Sequence, residues 1–275
     1  MPEFIWRHDY SRVSAFRAQP ELEGEKDERR VTWAVTLDFH NTIARCDAWF
    51  DLEVFELVPA YLDWHSRSSG LEVSADLKTT GRSCYRKLRQ RVIESGTEID
   101  AAESLEIVLK GLGIEVAPEV IDRALVDIFE PTVAGATPID GVIDSVNCLR
   151  ESGVRLAVVS SAAYHPFLEW TLAKFGIDGE FDAVLTSAST GHYKSTSRIY
   201  STALEMLGVP PEQCIHVGDS ERFDVQPARS LGIRTVLFDG IESLVSTRSE
   251  ADLRIPTLAG LPDRLRDTFG LAIDN

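Results

Sequence analysis

The chain has 275 residues, with 28 Lys and Arg against 44 Asp and Glu, a formal net charge of −16 at pH 7. At 44% hydrophobic and 26% charged residues it has the composition of a globular protein able to bury a sizeable core, which excludes disorder of the whole chain. So negative a protein repels phosphate backbones and anionic lipid, which argues against nucleic acid or a membrane as partner; small anionic substrates fit only where a cation is bound.

The length suits one large domain or two small ones. The first thirty residues hold only short apolar groups such as Phe4, Ile5 and Trp6, too short for the apolar run of a signal peptide. Residues 20–30, PELEGEKDERR, are dense in charge and suit a solvated linker, so residues 1–30 are expected to form a partly disordered N-terminal extension. Whether its FIWRHDY segment, residues 4–10, docks on the body or on a second subunit is left open, as is oligomeric state.

The segment 31–37, VTWAVTL, is β-branched and apolar on both faces and reads as a buried strand ending at Asp38. From about residue 50 to 133 the rhythm is helical instead, through DLEVFELVPAYLDW, SCYRKLRQRVIE, AAESLEIVLKGL and APEVIDRALVDIF. Its aromatics Trp49, Phe50, Tyr61 and Trp64 suit a core better than a substrate platform. A helix follows over 141–151, a strand over 154–160, a short strand over 183–185, a helix over 197–207, and strands over 214–217 and 234–238. Such alternation predicts an α/β fold, a doubly wound parallel sheet formed by residues 31–49 and 134–275, with a second, smaller helical domain inserted at 50–133. Four scattered cysteines, Cys46, Cys84, Cys148 and Cys214, form no CxxC pair, and no stretch is apolar for long enough to span a membrane. A soluble protein of the reducing cytoplasm is expected.

Polar groups follow the predicted strands. Asp38 ends the first in LDFHNT, Ser160 the second in VVSS, and Asp219 another in VGDSERFD, with Asp224 five residues on; Lys194 lies in GHYKS. A lone Asp at a strand end is usually a turn residue, but in a doubly wound sheet these ends converge on one edge, where ligands bind. Carboxylates meeting there make the hard oxygen site that Mg²⁺ prefers.

With these residues in order, the chain resembles the haloacid dehalogenase superfamily, mostly Mg²⁺-dependent phosphohydrolases, over nearly all of residues 31–275, including a terminal ADLRIPTLAGLPDRL similar to the family's last strand and helix. By that resemblance Asp38 is the nucleophile, Thr42, Ser160 and Ser161 lie at phosphate-binding positions, and Lys194 neutralises nucleophile and phosphate. Asp38, the His40 carbonyl, Asp219 and Asp224 form the Mg²⁺ site, and the insertion is a cap that excludes water once substrate binds. The implied activity is hydrolysis of a small phosphorylated metabolite through an aspartyl-phosphate intermediate.

His40 departs from the family pattern, which has a second Asp there as acid and base. Imidazole can serve both roles near neutral pH. Three readings therefore stand: a phosphatase using His40, a hydrolase acting on a bond other than a phosphate ester, and a degenerate relative that binds a phosphorylated ligand or protein partner without turnover. A milder departure is Ser195, where Pro usually follows the lysine; nearby His192 reads as a solvated loop residue. Within the insertion Arg82, Arg86 and Arg89 fall at i, i+4 and i+7 on one helix, a cationic stripe that either selects an anionic substrate or simply faces solvent.

Overall fold

Two-sided burial is what the apolar runs demand, and a parallel sheet covered by helices on both faces supplies it. The structure, a computed structural model, describes residues 32–240 and 249–272. The expected N-terminal extension, with FIWRHDY and the acidic linker, lies outside them.

In chain order the strands are β1 (Ala34–Leu37), β2 (Ala44–Arg45), β3 (Thr137–Pro138), β4 (Arg155–Ser160), β5 (Ala183–Thr186), β6 (Cys214–Gly218), β7 (Arg234–Phe238) and β8 (Leu253–Ile255). The main sheet runs β5-β4-β1-β6-β7-β8, parallel throughout. All four β1 residues are buried. Leu37 pairs with both Val158 and Val217, so Asp38 and Asp219, just past β1 and β6, and Ser160, the last residue of β4, all lie at the carboxyl ends of adjacent strands. Strand order reverses across β1, and such a reversal opens a crevice at that edge.

The helices are α1 (Asp47–Asp51), α2 (Leu57–Ser69), α3 (Ala75–Ser95), α4 (Ala101–Gly111), α5 (Pro118–Val133), α6 (Val142–Glu151), α7 (His165–Phe175), α8 (Ser187–Thr190), α9 (Arg198–Leu207), α10 (Gln226–Arg229) and α11 (Leu261–Phe269). Their ends follow local chemistry. Ser74 and Asp100 accept from Leu77 N and Glu103 N at 3.2 and 2.9 Å, capping α3 and α4, while Pro118 opens α5, where no amide hydrogen is needed.

Two elements escape the periodicity. The helical run expected from residue 51 widens into a π turn at Leu52–Glu56, where the Tyr85 hydroxyl donates to the Glu53 carbonyl at 2.5 Å. The antiparallel pair β2–β3, too short to read from a sequence, flanks the insertion at its neck, and Ile139 N donates to Ile43 O at 3.0 Å beside it. One apolar cluster runs from Tyr61, Leu105 and Phe129 of the insertion into Val35, Val158 and Val217 of the sheet. Phe39 and Trp49 sit edge to face, and Trp49 stacks on Phe167, across the same boundary. Trp49, Tyr61 and Trp64 are buried as expected, but Phe50 stays 37% exposed.

Candidate active site

β1 delivers Asp38 at its carboxyl end, where the Asp38 amide still donates to Val217 O at 2.9 Å. The chain then turns tightly: Phe39 O accepts from Ile43 N and Ala44 N, both at 2.9 Å, and Asn41 adopts a left-handed φ of 63°. This turn returns Thr42 to the site, and its hydroxyl donates to Asp38 Oδ2 at 3.2 Å. The other Asp38 oxygen accepts from the Lys194 ammonium. Lys194 is itself buried and also donates to Asp224 Oδ1 at 2.6 Å, so one cation joins two carboxylates.

Asp224 lies in a second π turn, Glu221–Val225, opened by Ser220, whose hydroxyl accepts from Phe223 N at 3.2 Å. Ser220 N donates to Asp224 Oδ2 at 2.9 Å, and Oδ1 also meets His216 Nε2 at 3.1 Å and the Tyr200 hydroxyl at 3.4 Å. His216 Nδ1 in turn meets Thr36 Oγ1 at 2.9 Å across β1–β6. Gly218 makes this approach possible, since a Cβ there would lie 2.3 Å from Asp224 Cγ. Asp38, Asp219 and Asp224 each offer an oxygen within 4.8 Å of the others.

Crowded like charges govern the electrostatics. Burial raises Asp38 above the usual carboxylate range although Lys194 opposes it. Burial would raise Asp224 as well, but Lys194 and His216 prevail and hold it far below that range. Lys194 is the mirror case, held above its ordinary value by Asp224 and Asp38 against burial. Asp219 is pushed up to about 8 by the surrounding protein and by Asp38 and Asp224. Its side chain reaches solvent, which screens part of that push.

Of the residues expected in the site, Asp38, Thr42, Lys194, Asp219 and Asp224 come together. The Ser161 hydroxyl accepts from Lys194 N at 3.3 Å, and Ser160 is buried at the end of β4, level with Thr186 of β5. The His40 imidazole lies against the insertion: it stacks on Phe50 at 4.5 Å between ring centroids, and Nε2 is 3.6 Å from Asp47 Oδ1. Burial lowers its pKa, with Asp47 opposing. His192, expected in solvent, is half-buried, and its backbone pairs with Thr97.

The arginine stripe is not one free cationic face. Arg82 is held by Glu56 at 2.7 and 2.6 Å, and Arg89 is buried on Glu98 at 2.5 and 3.2 Å, on the same face of α3 as the buried Tyr85 and Val92. Among the described residues Arg86 pairs with no carboxylate; its guanidinium lies over the Phe55 ring, 5.2 Å from the centroid. Sequence reasoning misses Thr36, Tyr200 and His216, which sit inside otherwise apolar runs. It also misses Glu53, a buried carboxyl that accepts from Ala163 N at 2.9 Å and Tyr164 N at 3.4 Å.

Comparison with known proteins agrees with this fold. A glyceraldehyde 3-phosphate phosphatase of Methanopyrus kandleri is 28% identical over 167 residues, 60% of this chain and 70% of that protein. A ribulose-1,5-bisphosphate 5-phosphatase of Halopiger xanaduensis is 32% identical over 123 residues, 42% of this chain and 51% of that protein. The crystal structure of a HAD phosphatase from Thermococcus onnurineus shares the fold with a TM-score of 0.58 at 24% identity, covering 85% of this chain and 98% of the other. The haloacid dehalogenase-like hydrolase family matches residues 34–232, well over half of the sequence and all of β1 to β6 with their carboxylates, and the chain belongs to that family of hydrolases.

Proposed function

We propose that the protein hydrolyses a small phosphomonoester, with Asp38 as nucleophile. The observation that carries this reading is the placement of Lys194, a buried ammonium bonded to Asp38 and Asp224 with Asp219 alongside. An anionic carboxylate meets an anionic phosphoryl group only where positive charge cancels their repulsion, and Lys194 supplies part of it. The donor set suits Mg²⁺, which takes oxygen ligands: Asp38, Asp219 and the His40 carbonyl would hold it. Both Asp224 oxygens already accept bonds from Lys194, His216 and Ser220, which suits Asp224 to orienting the cluster. When bound, Mg²⁺ adds the charge that Lys194 alone does not provide.

In the first step an Asp38 oxygen bonds to phosphorus while the bond to the ester oxygen breaks, and the departing oxygen takes a proton from the His40 imidazolium. In the second, neutral His40 removes a proton from water, which attacks phosphorus and frees Asp38 and inorganic phosphate. Burial lowers the pKa of the ring, and Asp47 beside Nε2 works against that lowering, toward the protonated form that the first step requires. Thr42, Ser160 and Ser161 would bind the phosphoryl oxygens, and residues 50–133, which include helices α2–α5, would act as a cap. Arg86, exposed and paired with no carboxylate among the described residues, is the member of the stripe best suited to an anionic group of the substrate. The phosphatases of M. kandleri and H. xanaduensis point to a small phosphorylated metabolite as substrate. Among the described residues no helix is long and apolar enough to cross a membrane, and the four cysteines are free, which suits the reducing cytoplasm.

The test is a panel of phosphorylated metabolites assayed for free phosphate with Mg²⁺ or with EDTA. Release that requires the metal and disappears in Asp38→Asn supports the reading. Tight binding of a phosphorylated compound with no phosphate released from any would replace it with the non-catalytic binder.

A further inference from the structure

The insertion touches the catalytic loops through polar groups that the hydrolytic scheme leaves unused. The turn between α3 and α4 lies along the loop leading to Lys194: Tyr193 N donates to Gly96 O and Glu98 N donates to Gly191 O, both at 3.0 Å, and Thr97 bridges His192. The approach is close, because a Cβ on Gly96, already at a left-handed φ of 71°, would lie 2.2 Å from the Thr196 side chain.

Glu98 sits at the centre of this contact with its carboxylate buried. One face takes Arg89 through two bonds, and Ser187, at the start of α8, donates its hydroxyl to Oε2. Arg89 also donates to Ile99 O at 3.0 Å, and its guanidinium lies over the ring of Tyr193, the residue preceding Lys194, 6.0 Å from the centroid. Arg89 and Glu98 both belong to the insertion, so their ion pair holds the carboxylate in place there, and the bond that crosses to the sheet side is the one from Ser187; undocking would take that partner from a buried carboxylate, which favours the docked arrangement.

We propose that Glu98 is a positioning residue: through Arg89 and Ser187 it pins residues 96–98 of the insertion against the loop carrying Lys194, so that the ammonium meets Asp38 only while the insertion is docked. The kinetic half of this inference rests on the phosphohydrolase reading. The structural half does not.

Glu98→Gln in the full chain tests both. Amide hydrogen exchange of residues 190–196 should accelerate about tenfold or more while β1 and β4 keep their protection. For any phosphoester the wild type turns over, kcat should fall about tenfold or more with KM within about twofold, since the alignment lost matters in the transition state. Lys78→Gln, which breaks an ion pair to Asp63 within the insertion, should change neither. Unchanged exchange at 190–196 in the folded variant, or faster exchange with unaltered kcat, overturns the proposal. If Glu98→Gln does not fold, Ser187→Ala removes only the partner on the sheet side and should shift both readouts in the same sense. A wild type that releases no phosphate refutes the proposed function, and the exchange comparison alone then decides whether Glu98 fixes the loop.

Discussion

Replacing Lys194 with Met keeps much of the side chain's bulk and removes the one charge that separates Asp38 from Asp224. The two carboxylates offer oxygens within 4.8 Å of each other, and at an effective dielectric constant of about 20 their repulsion comes to about 3.5 kcal/mol. Loss of one member of a buried ion pair costs about 3–5 kcal/mol, so that is the expected deficit of Lys194→Met at neutral pH without metal. The deficit depends on pH with a definite sign. In the wild type Asp224 is held below its unfolded value, so its contribution is present above that value and drains away in acid. In the variant Asp38, already raised by burial, rises further, and a raised group stabilises the fold at low pH and stops doing so as the pH climbs. The two stability curves therefore converge on acidification. Urea unfolding followed by tryptophan fluorescence in EDTA, from pH 5 to pH 8, lies above the range in which Asp224 titrates and so reads the Asp38 part of this convergence. A deficit below about 1 kcal/mol, or one independent of pH, would refute the assignment of Lys194 as the cation of a buried triad.

His40→Ala should reduce kcat/KM by about 10²–10⁴ and abolish the limb of the pH–rate profile, which burial of the imidazole places below its ordinary 6.5; an unaltered profile removes His40 from proton transfer. Burial pushes the Glu53 carboxyl up to about 8 against the pull of Arg89, so its contribution is complete below the unfolded value and is lost as the pH rises through 8. Glu53→Gln should therefore gain about 2–4 kcal/mol on the wild type between pH 5 and pH 8, read from denaturant midpoints, and a flat difference would contradict the raised carboxyl.

The sheet and the carboxylate edge are legible because both depend on local rules. Arg234–Phe238 is a strand as its composition requires, and Val154–Ser160 is shortened only by its first residue. Asp38, Lys194 and Asp224 meet because parallel strands present their carboxyl ends together. What escapes the sequence has no periodic signature. Arg82 and Arg89 share a helical stripe but not an environment, since Glu56 and Glu98, distant in spacing, take them in different surroundings. His216 within CIHVG looks like any residue of a buried strand; only the pairing of β1 with β6 puts Thr36 beside one ring nitrogen, and the π turn of residues 221–225 puts Asp224 beside the other. The burial of Glu53 likewise follows from a widened turn that amphipathic spacing does not foresee.

The two-residue pairing of β2 with β3 brings the ends of segment 46–136 side by side, leaving the parent sheet indifferent to the length and content of what hangs between them. Covalently, the junction is a socket: a foreign helical bundle of any size could be grafted there without altering a single strand crossover. The restriction lies in recognition, because a graft must reproduce the grip of residues 96–98 on the lysine loop and of Glu53 on Ala163. Exchange of this module is therefore limited by a few buried polar contacts and hardly at all by topology.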